Sequence, residues 1–240
     1  MIIDNALNKW IADVVVDADI KNRAEHVSSG KLSASGLGEP LQWQILKALQ
    51  ITERQVDEYT LRKFQRGKDV EDRVLSWLPV SGKQEFVEYR GVVGYMDAMV
   101  DSAFWWTSGL PKGEMPLELK SVTNAKFKRI VGQGNPDKGH ILQACLYGLA
   151  KNSEWTSIAY VASDDYRVQS FLVKVADYKY EIDEIIDRFN TQLMKMQIPV
   201  FEPREAWQAT PKYNKFPEFA TLSQEELDKI LLEELKKKHL

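Results

Sequence analysis

Midway along the chain the spacing of apolar residues changes, and that change constrains the fold more than any other feature. Up to about residue 80 the pattern is helical. Residues 2–20 carry Leu7, Trp10, Ile11, Val14 and Val15 as one stripe, Pro40 opens a helix through Leu49, and a cap at Thr52 starts a helix that runs to about Leu78, where Pro79 stops it. Between them, Ser28 to Gly38 reads as a Ser- and Gly-rich loop. Residues 84–90, 92–100 and 115–122 then read as three strands rich in Val, Phe, Tyr and Leu. A helical piece near 124–131, a helix from Pro136 to about Lys151, strands over 156–163 and 168–175, and an amphipathic helix over 177–197 follow. The tail, with Pro199, Pro203, Pro211 and Pro217, wraps irregularly before a last helix that Ser223 and Glu226 can start with a capping box. Strands interrupted by helices in this order imply an α/β fold, a mixed central sheet flanked by helices. The expected organisation is a single domain over 1–240, with a core of about 53–197, a helical lead-in over 1–50 and a C-terminal wrap and helix over 198–240.

Composition narrows the function classes. The 240 residues are 44% hydrophobic and 28% charged, enough apolar material for a core without staples. The one cysteine, Cys145, excludes a disulfide within the chain and a cluster held by several of its own thiolates, and it suits a reducing cytoplasm. No apolar run reaches the length of a membrane span, and Met1 to Trp10 does not read as a signal peptide. A net charge of −3 excludes a strongly basic coat, but a local basic patch and bound metal ions still permit a nucleic-acid enzyme.

Four features carry chemistry. On the strand Leu117-Glu118-Leu119-Lys120, alternation puts Glu118 and Lys120 on one face and the two leucines on the other. Alone, this pattern equally describes a solvated charge pair. Asp97, in Gly94-Tyr95-Met96-Asp97, stands in an apolar stretch, where a buried carboxylate needs a partner. Asp101 lies about 13 Å further along a regular strand, too far to share an ion with it. Glu71 belongs to the helical stripe Phe64, Gly67, Glu71, Val74, Leu78, which is expected to be buried, and Gly67 one turn earlier permits close approach of another group. A pairing of Glu71 with Arg66 or Lys68 is the alternative. His140, Gln143 and Tyr147 form one polar helix stripe, while Ile141, Cys145 and Leu149 point elsewhere. Oxygen ligands on separate elements favour Mg²⁺ or Mn²⁺ over zinc, and a neighbouring lysine can orient or deprotonate the attacking water. That is equipment for phosphodiester hydrolysis.

These residues resemble the PD-(D/E)XK nuclease superfamily, and most of all its RecB-like and lambda-exonuclease-like branch, over about residues 28 to 175. Ser33-Ala34-Ser35-Gly36-Leu37-Gly38 looks like that branch's lead-in, Gly67-Lys68-Asp69-Val70-Glu71 its first motif, and Gly94-Tyr95-Met96-Asp97 its Gly-x-x-Asp motif. Glu118-Leu119-Lys120 resembles the Glu-x-Lys motif and Gln143-Ala144-Cys145-Leu146-Tyr147 the Gln-x-x-x-Tyr motif. The resemblance implies a restriction-endonuclease-like core. It implies that Glu71, Asp97, Glu118 and the Leu119 carbonyl bind Mg²⁺ or Mn²⁺, that Lys120 positions or activates water, and that Gln143 and Tyr147 support Lys120 and the DNA backbone. Several members carry four cysteines for an iron–sulfur cluster. This chain has one, so no cluster is expected, and a phage or bacterial recombination exonuclease fits better than a CRISPR-associated nuclease. The implied partners are DNA and a single-strand annealing or recombination protein.

Residues 112–138 hold six basic and three acidic side chains, against a net charge of −3 for the chain. Lys126, Lys128, Arg129, Lys138 and His140 are the expected backbone contacts, and Trp105 and Trp106 could stack on bases at a frayed end.

Overall fold

A computed structural model describes residues 30–51, 54, 57–101 and 112–238. The stripe expected over 2–20, the cap at Thr52, and Trp105 and Trp106 lie outside the described residues. A 3-10 turn, Ala34–Gly38, leads into α1 (Leu41–Ala48) and α2 (Glu58–Trp77). Then come β1 (Glu85–Tyr89), β2 (Val92–Met96), β3 (Ala98–Asp101), β4 (Glu114–Val122), α3 (Asn124–Gln133), α4 (Lys138–Ala150), β5 (Trp155–Ala162), β6 (Val168–Lys174), α5 (Ala176–Met194) and α6 (Gln224–Lys238). Among the described residues no helix is long and apolar enough to cross a membrane.

The fold is α/β with a mixed sheet flanked by helices, as the element order implies. The main sheet runs β3-β4-β5-β6, and β4 and β5, joined through α3 and α4, are its one parallel pair. Alternation along the strands splits the apolar residues between two faces. Leu117, Leu119, Ala159 and Val161 pack with Val70, Val74 and Leu75 of α2. Ile158, Tyr160 and Ala162 pack on the other face, with α4, α5 and the lead-in.

Two expectations are corrected here. The single strand over 92–100 is two strands in two sheets: β2 pairs with β1 from Glu85↔Met96 to Tyr89↔Val92, whereas β3 pairs with β4 from Ala98↔Leu117 to Asp101↔Glu114. The chain changes sheets at Asp97, which belongs to neither strand. The buried stripe of α2 is also displaced. Phe64 is 57% and Leu78 37% exposed; Val74 is buried as expected, and Val70 and Leu75 meet the core beside it.

The C-terminal wrap is fastened to the lead-in by polar side chains. Gln208 donates to the Gly38 carbonyl, and Gln42 to the carbonyls of Pro199 and Phe219. Glu39 sits between Lys47 of α1, at 2.7 Å, and Lys215 of the wrap, at 2.6 Å. Burial works to raise its pKa, but the two ammonium groups outweigh it and hold the carboxyl below its ordinary value. A depressed folded pKa stabilises the protein above the unfolded value of 4.5, and that contribution is lost as pH falls through the folded pKa. Glu39→Gln is therefore expected to lower stability by roughly 1–3 kcal/mol at pH 7. The difference should shrink on acidification below pH 4.5 in denaturant titrations of both proteins.

Candidate active site

The site grows from the place where β3 stops. β4 continues beyond its last β3 partner, Leu117, while β5 pairs with it as far as Val122. On that open edge alternate N–H groups have no strand to receive them, and an unpaired backbone donor is expensive to bury. Two carboxylates take the place of the missing strand. Asp97 Oδ2 accepts from Leu119 N at 2.8 Å, and Glu71 Oε1 accepts from Ser121 N at 2.8 Å. A strand residue's N–H and C=O leave by the same edge, so the Leu119 carbonyl leaves by the edge where Asp97 sits.

Glu118 and Lys120 stand on the opposite face of β4 from Leu117 and Leu119, as alternation requires. Glu118 is 1% exposed, its Oε1 lies against Lys120 Nζ as an ion pair, and its Oε2 is buried without a hydrogen-bond donor. Burial pushes the Glu118 carboxyl up to about 8, against the pull of Lys120 and with the push of Asp97 and Glu71. Burial also raises Asp97 and Glu71, partly offset by their backbone donors and by Lys120. Desolvation pulls the Lys120 ammonium down, but Glu118, Asp97 and Glu71 together hold it above its ordinary value. One buried carboxyl, Glu118, and two half-buried ones, Asp97 and Glu71, thus share one cation. A cleft of about 550 Å³ opens beside them, lined by Glu71, Gln84, Asp97 and Ser121 among others.

Asp97 is delivered by an interlock of three residues. Tyr147 Oη donates to the Tyr95 carbonyl at 3.0 Å and accepts from Gln143 Nε2 at 2.9 Å. A Cβ on Gly94 would stand 3.0 Å from Tyr147 Cε1 and 2.8 Å from Ala34 Cβ, so only glycine lets the ring cross beneath β2. The strand is therefore pinned two residues before Asp97. Gln84, whose N–H donates to the Asp97 carbonyl and whose Nε2 is 3.4 Å from Asp97 Oδ1, supports the same residue from β1's leading end. Sequence reading missed Gln84; its signal was register, since it falls opposite Asp97 when the β1–β2 ladder is extended by one pair.

Other expected roles are corrected. Gln143 and Tyr147 are buried and hydrogen-bond to each other and to β2, and no hydrogen bond joins either to Lys120 among the described residues. His140 Nδ1 is 2.8 Å from Tyr160 Oη, and burial, aided by Lys126 and Lys120, pushes its pKa down to about 3, so it offers a phosphate no charge. Lys126 and Arg129 both pair with Asp137, at 2.7 and 2.8 Å, and Lys138 pairs with Glu181 at 2.5 Å. Lys128 alone of these remains exposed without an ion pair among the described residues. Cys145 is buried and burial pushes its thiol up to about 12, which makes it a packed core residue.

Among the described residues no three His, Cys, Asp or Glu groups are arranged to hold one ion. The donors nevertheless suit a hard divalent cation: all are oxygens, and Glu118 Oε2 is a buried acceptor with no donor of its own.

The solved structure of SSO0001 shares this fold, with a TM-score of 0.53 at 16% identity over 89% of this chain and 98% of its own. An alkaline exonuclease (LHK-Exo) from Laribacter hongkongensis gives a TM-score of 0.49 at 13% identity over 70% of this chain and 90% of its own. The same protein in complex with dAMP gives 0.48 at 13% identity, over 69% and 89%. No protein-family model and no curated protein matches the chain.

An acid whose folded pKa is raised stabilises the protein fully below its unfolded value, here 4.5, and loses that contribution as pH rises through the folded pKa, here about 8. In EDTA, stability should fall over this window by up to roughly 1.4 kcal/mol per pH unit for Glu118. Glu118→Gln should flatten the fall. Denaturant midpoints measured from pH 5 to 8 test this, and an equal slope in both proteins would place the strain elsewhere.

Proposed function

We propose that the chain is a metal-dependent deoxyribonuclease of the PD-(D/E)XK type, acting as an exonuclease in phage or bacterial DNA recombination or repair. The observation that carries this reading is the set of three carboxyls, half-buried Glu71 of α2 and Asp97 of the β2–β3 switch and buried Glu118 of β4, grouped around Lys120 beside an open cleft. The order of motifs in the sequence supports the lambda-exonuclease-like branch, and that branch implies a need for a free DNA end. The cytoplasm of a bacterial or phage-infected cell is the proposed location, with a single-strand annealing or recombination protein as working partner.

In this mechanism Glu71, Asp97, Glu118 and the Leu119 carbonyl would hold Mg²⁺ or Mn²⁺. When bound, the ion supplies Lewis-acid stabilisation of phosphate charge and a water of lowered pKa. Lys120, kept protonated by the carboxylates around it, donates hydrogen bonds to the attacking water or to a phosphate oxygen. Tyr147, Gln143 and Gln84 hold Asp97 in place and touch no reacting atom.

Linear and covalently closed circular DNA, each with Mg²⁺, Mn²⁺ or EDTA, provide the test. Linear DNA should be digested with either ion, circular DNA should resist, and EDTA should stop the reaction. Lys120→Met should lower the rate by roughly 100-fold or more, and it should also lower the melting temperature in EDTA, because it leaves Glu118 without its ion-pair partner. Circular DNA cut as fast as linear would turn the reading to a structure-specific or CRISPR-adaptation-type endonuclease. DNA bound but uncut under every condition would leave a non-catalytic DNA-binding module.

A separate expectation concerns Glu71. Glu71→Gln keeps an oxygen for Ser121 N and removes a charge that burial disfavours, so melting in EDTA should be unchanged or slightly higher. The gain in melting temperature on adding Mn²⁺ should shrink and turnover should drop. A lower melting temperature in EDTA with normal cutting would make Glu71 a structural acid.

A further inference from the structure

The face of α2 that sequence reading took for core is the wall of the cleft. Lys63, Phe64, Gly67, Lys68 and Glu71, spaced one turn apart, all line it. Gly67 lies in the middle of the 20-residue helix, where glycine is a much poorer helix former than alanine. Packing does not explain it. A Cβ on Gly38, Gly94 or Gly148 would stand within 2.8 Å of another atom, but one on Gly67 would meet only Ser121 Cβ, at 4.0 Å. That is ordinary contact. Nor is its φ in the left-handed region. The helix therefore carries an unfavourable residue that no contact among the described residues requires, at a spot that opens onto the cleft one turn from Glu71.

We propose that the turn of α2 at Gly67 is a contact surface for the sugar–phosphate backbone of a nucleic-acid strand, which passes there at a distance that a methyl group would block. This rests on the nuclease reading of the neighbouring carboxylates. Lys63 and Lys68 flank the bare turn and hold adjacent phosphates. Lys68 has no ion pair among the described residues, and Lys63 lies over the Tyr59 ring within electrostatic reach of Asp57, with no salt bridge of its own among the described residues. Phe64, 57% accessible, stands on the same wall. The strand is then led along α2 toward Glu71, Asp97 and Ser121.

Gly67→Ala separates this from a structural role, because it should improve the protein and impair the binding. Gly132, in the last turn of α3, supplies the control: a Cβ there also meets nothing within 4 Å, and it lines no part of this cleft. Both alanine variants should melt higher, Gly67→Ala by about 2–4 °C. Binding of a short fluorescent single-stranded DNA, by anisotropy in EDTA and in Ca²⁺, should weaken roughly tenfold or more for Gly67→Ala and remain unchanged for Gly132→Ala. Lys63→Ala with Lys68→Ala should flatten the salt dependence of that binding. The gain in melting temperature on adding Mn²⁺ should be the same for Gly67→Ala as for the parent. Parental affinity in Gly67→Ala, a lower melting temperature, or a parent that binds no DNA would each overturn the proposal. If Gly67→Ala loses affinity as expected while the parent cuts no DNA with Mg²⁺ or Mn²⁺, the backbone contact stands and the nuclease reading falls.

Discussion

Five residues of β4 extend past the last partner that β3 offers, and the edge they leave has to be satisfied by something. A sheet edge that is partly enclosed cannot rely on water for its N–H groups. Here the donors at Leu119 and Ser121 are met by the carboxylates of Asp97 and Glu71. This single arrangement explains why acids from a distant helix and from a strand junction come to lie beside Glu118 and Lys120. It also explains how the acids are tolerated under burial, since each keeps one charge-assisted hydrogen bond.

The interactions behind that edge form a short mechanical chain. Gly94 admits Tyr147, Tyr147 grips the carbonyl of Tyr95, and the chain then leaves one sheet for the other at Asp97. The glycine and the tyrosine act on the site at a remove, through the backbone that positions an acid. The charge balance is left deliberately incomplete: three raised carboxyls face one ammonium, and Glu118 retains an oxygen without a donor. Such a site is strained when empty of further positive charge, which is the usual cost of a polar group held ready in the interior.

The basic residues illustrate how composition can mislead. The stretch 112–138 is rich in lysine and arginine, but Lys126 and Arg129 converge on Asp137, a residue that also starts α4. Counting charges along the chain treats that acid as one more subtraction. In space it serves as a shared counter-ion, and it draws the two cations together. Lys63 and Lys68, outside the basic stretch, face the cleft instead.

The sequence alone determined the element order and hence the α/β class, because hydrophobic period is a local property that survives without knowledge of contacts. It also determined which face of β4 carries Glu118 and Lys120, since strand alternation admits no other arrangement. It did not determine that 92–100 breaks at Asp97, because a strand entering one sheet and a strand leaving for another have the same apolar pattern. Nor could it separate the core stripe of α2 from its cleft wall. Phe64, Gly67 and Glu71 keep helical spacing with Val74, and whether a face meets protein or open space depends on the distance to the next element. The polar stripe of α4 failed for the same reason: His140, Gln143 and Tyr147 share a face, but that face is covered, and their partners, Tyr160 and the Tyr95 carbonyl, lie 20 and 52 residues away in the chain. Periodicity tells which residues stand together. Only the packing of distant segments decides what they stand against.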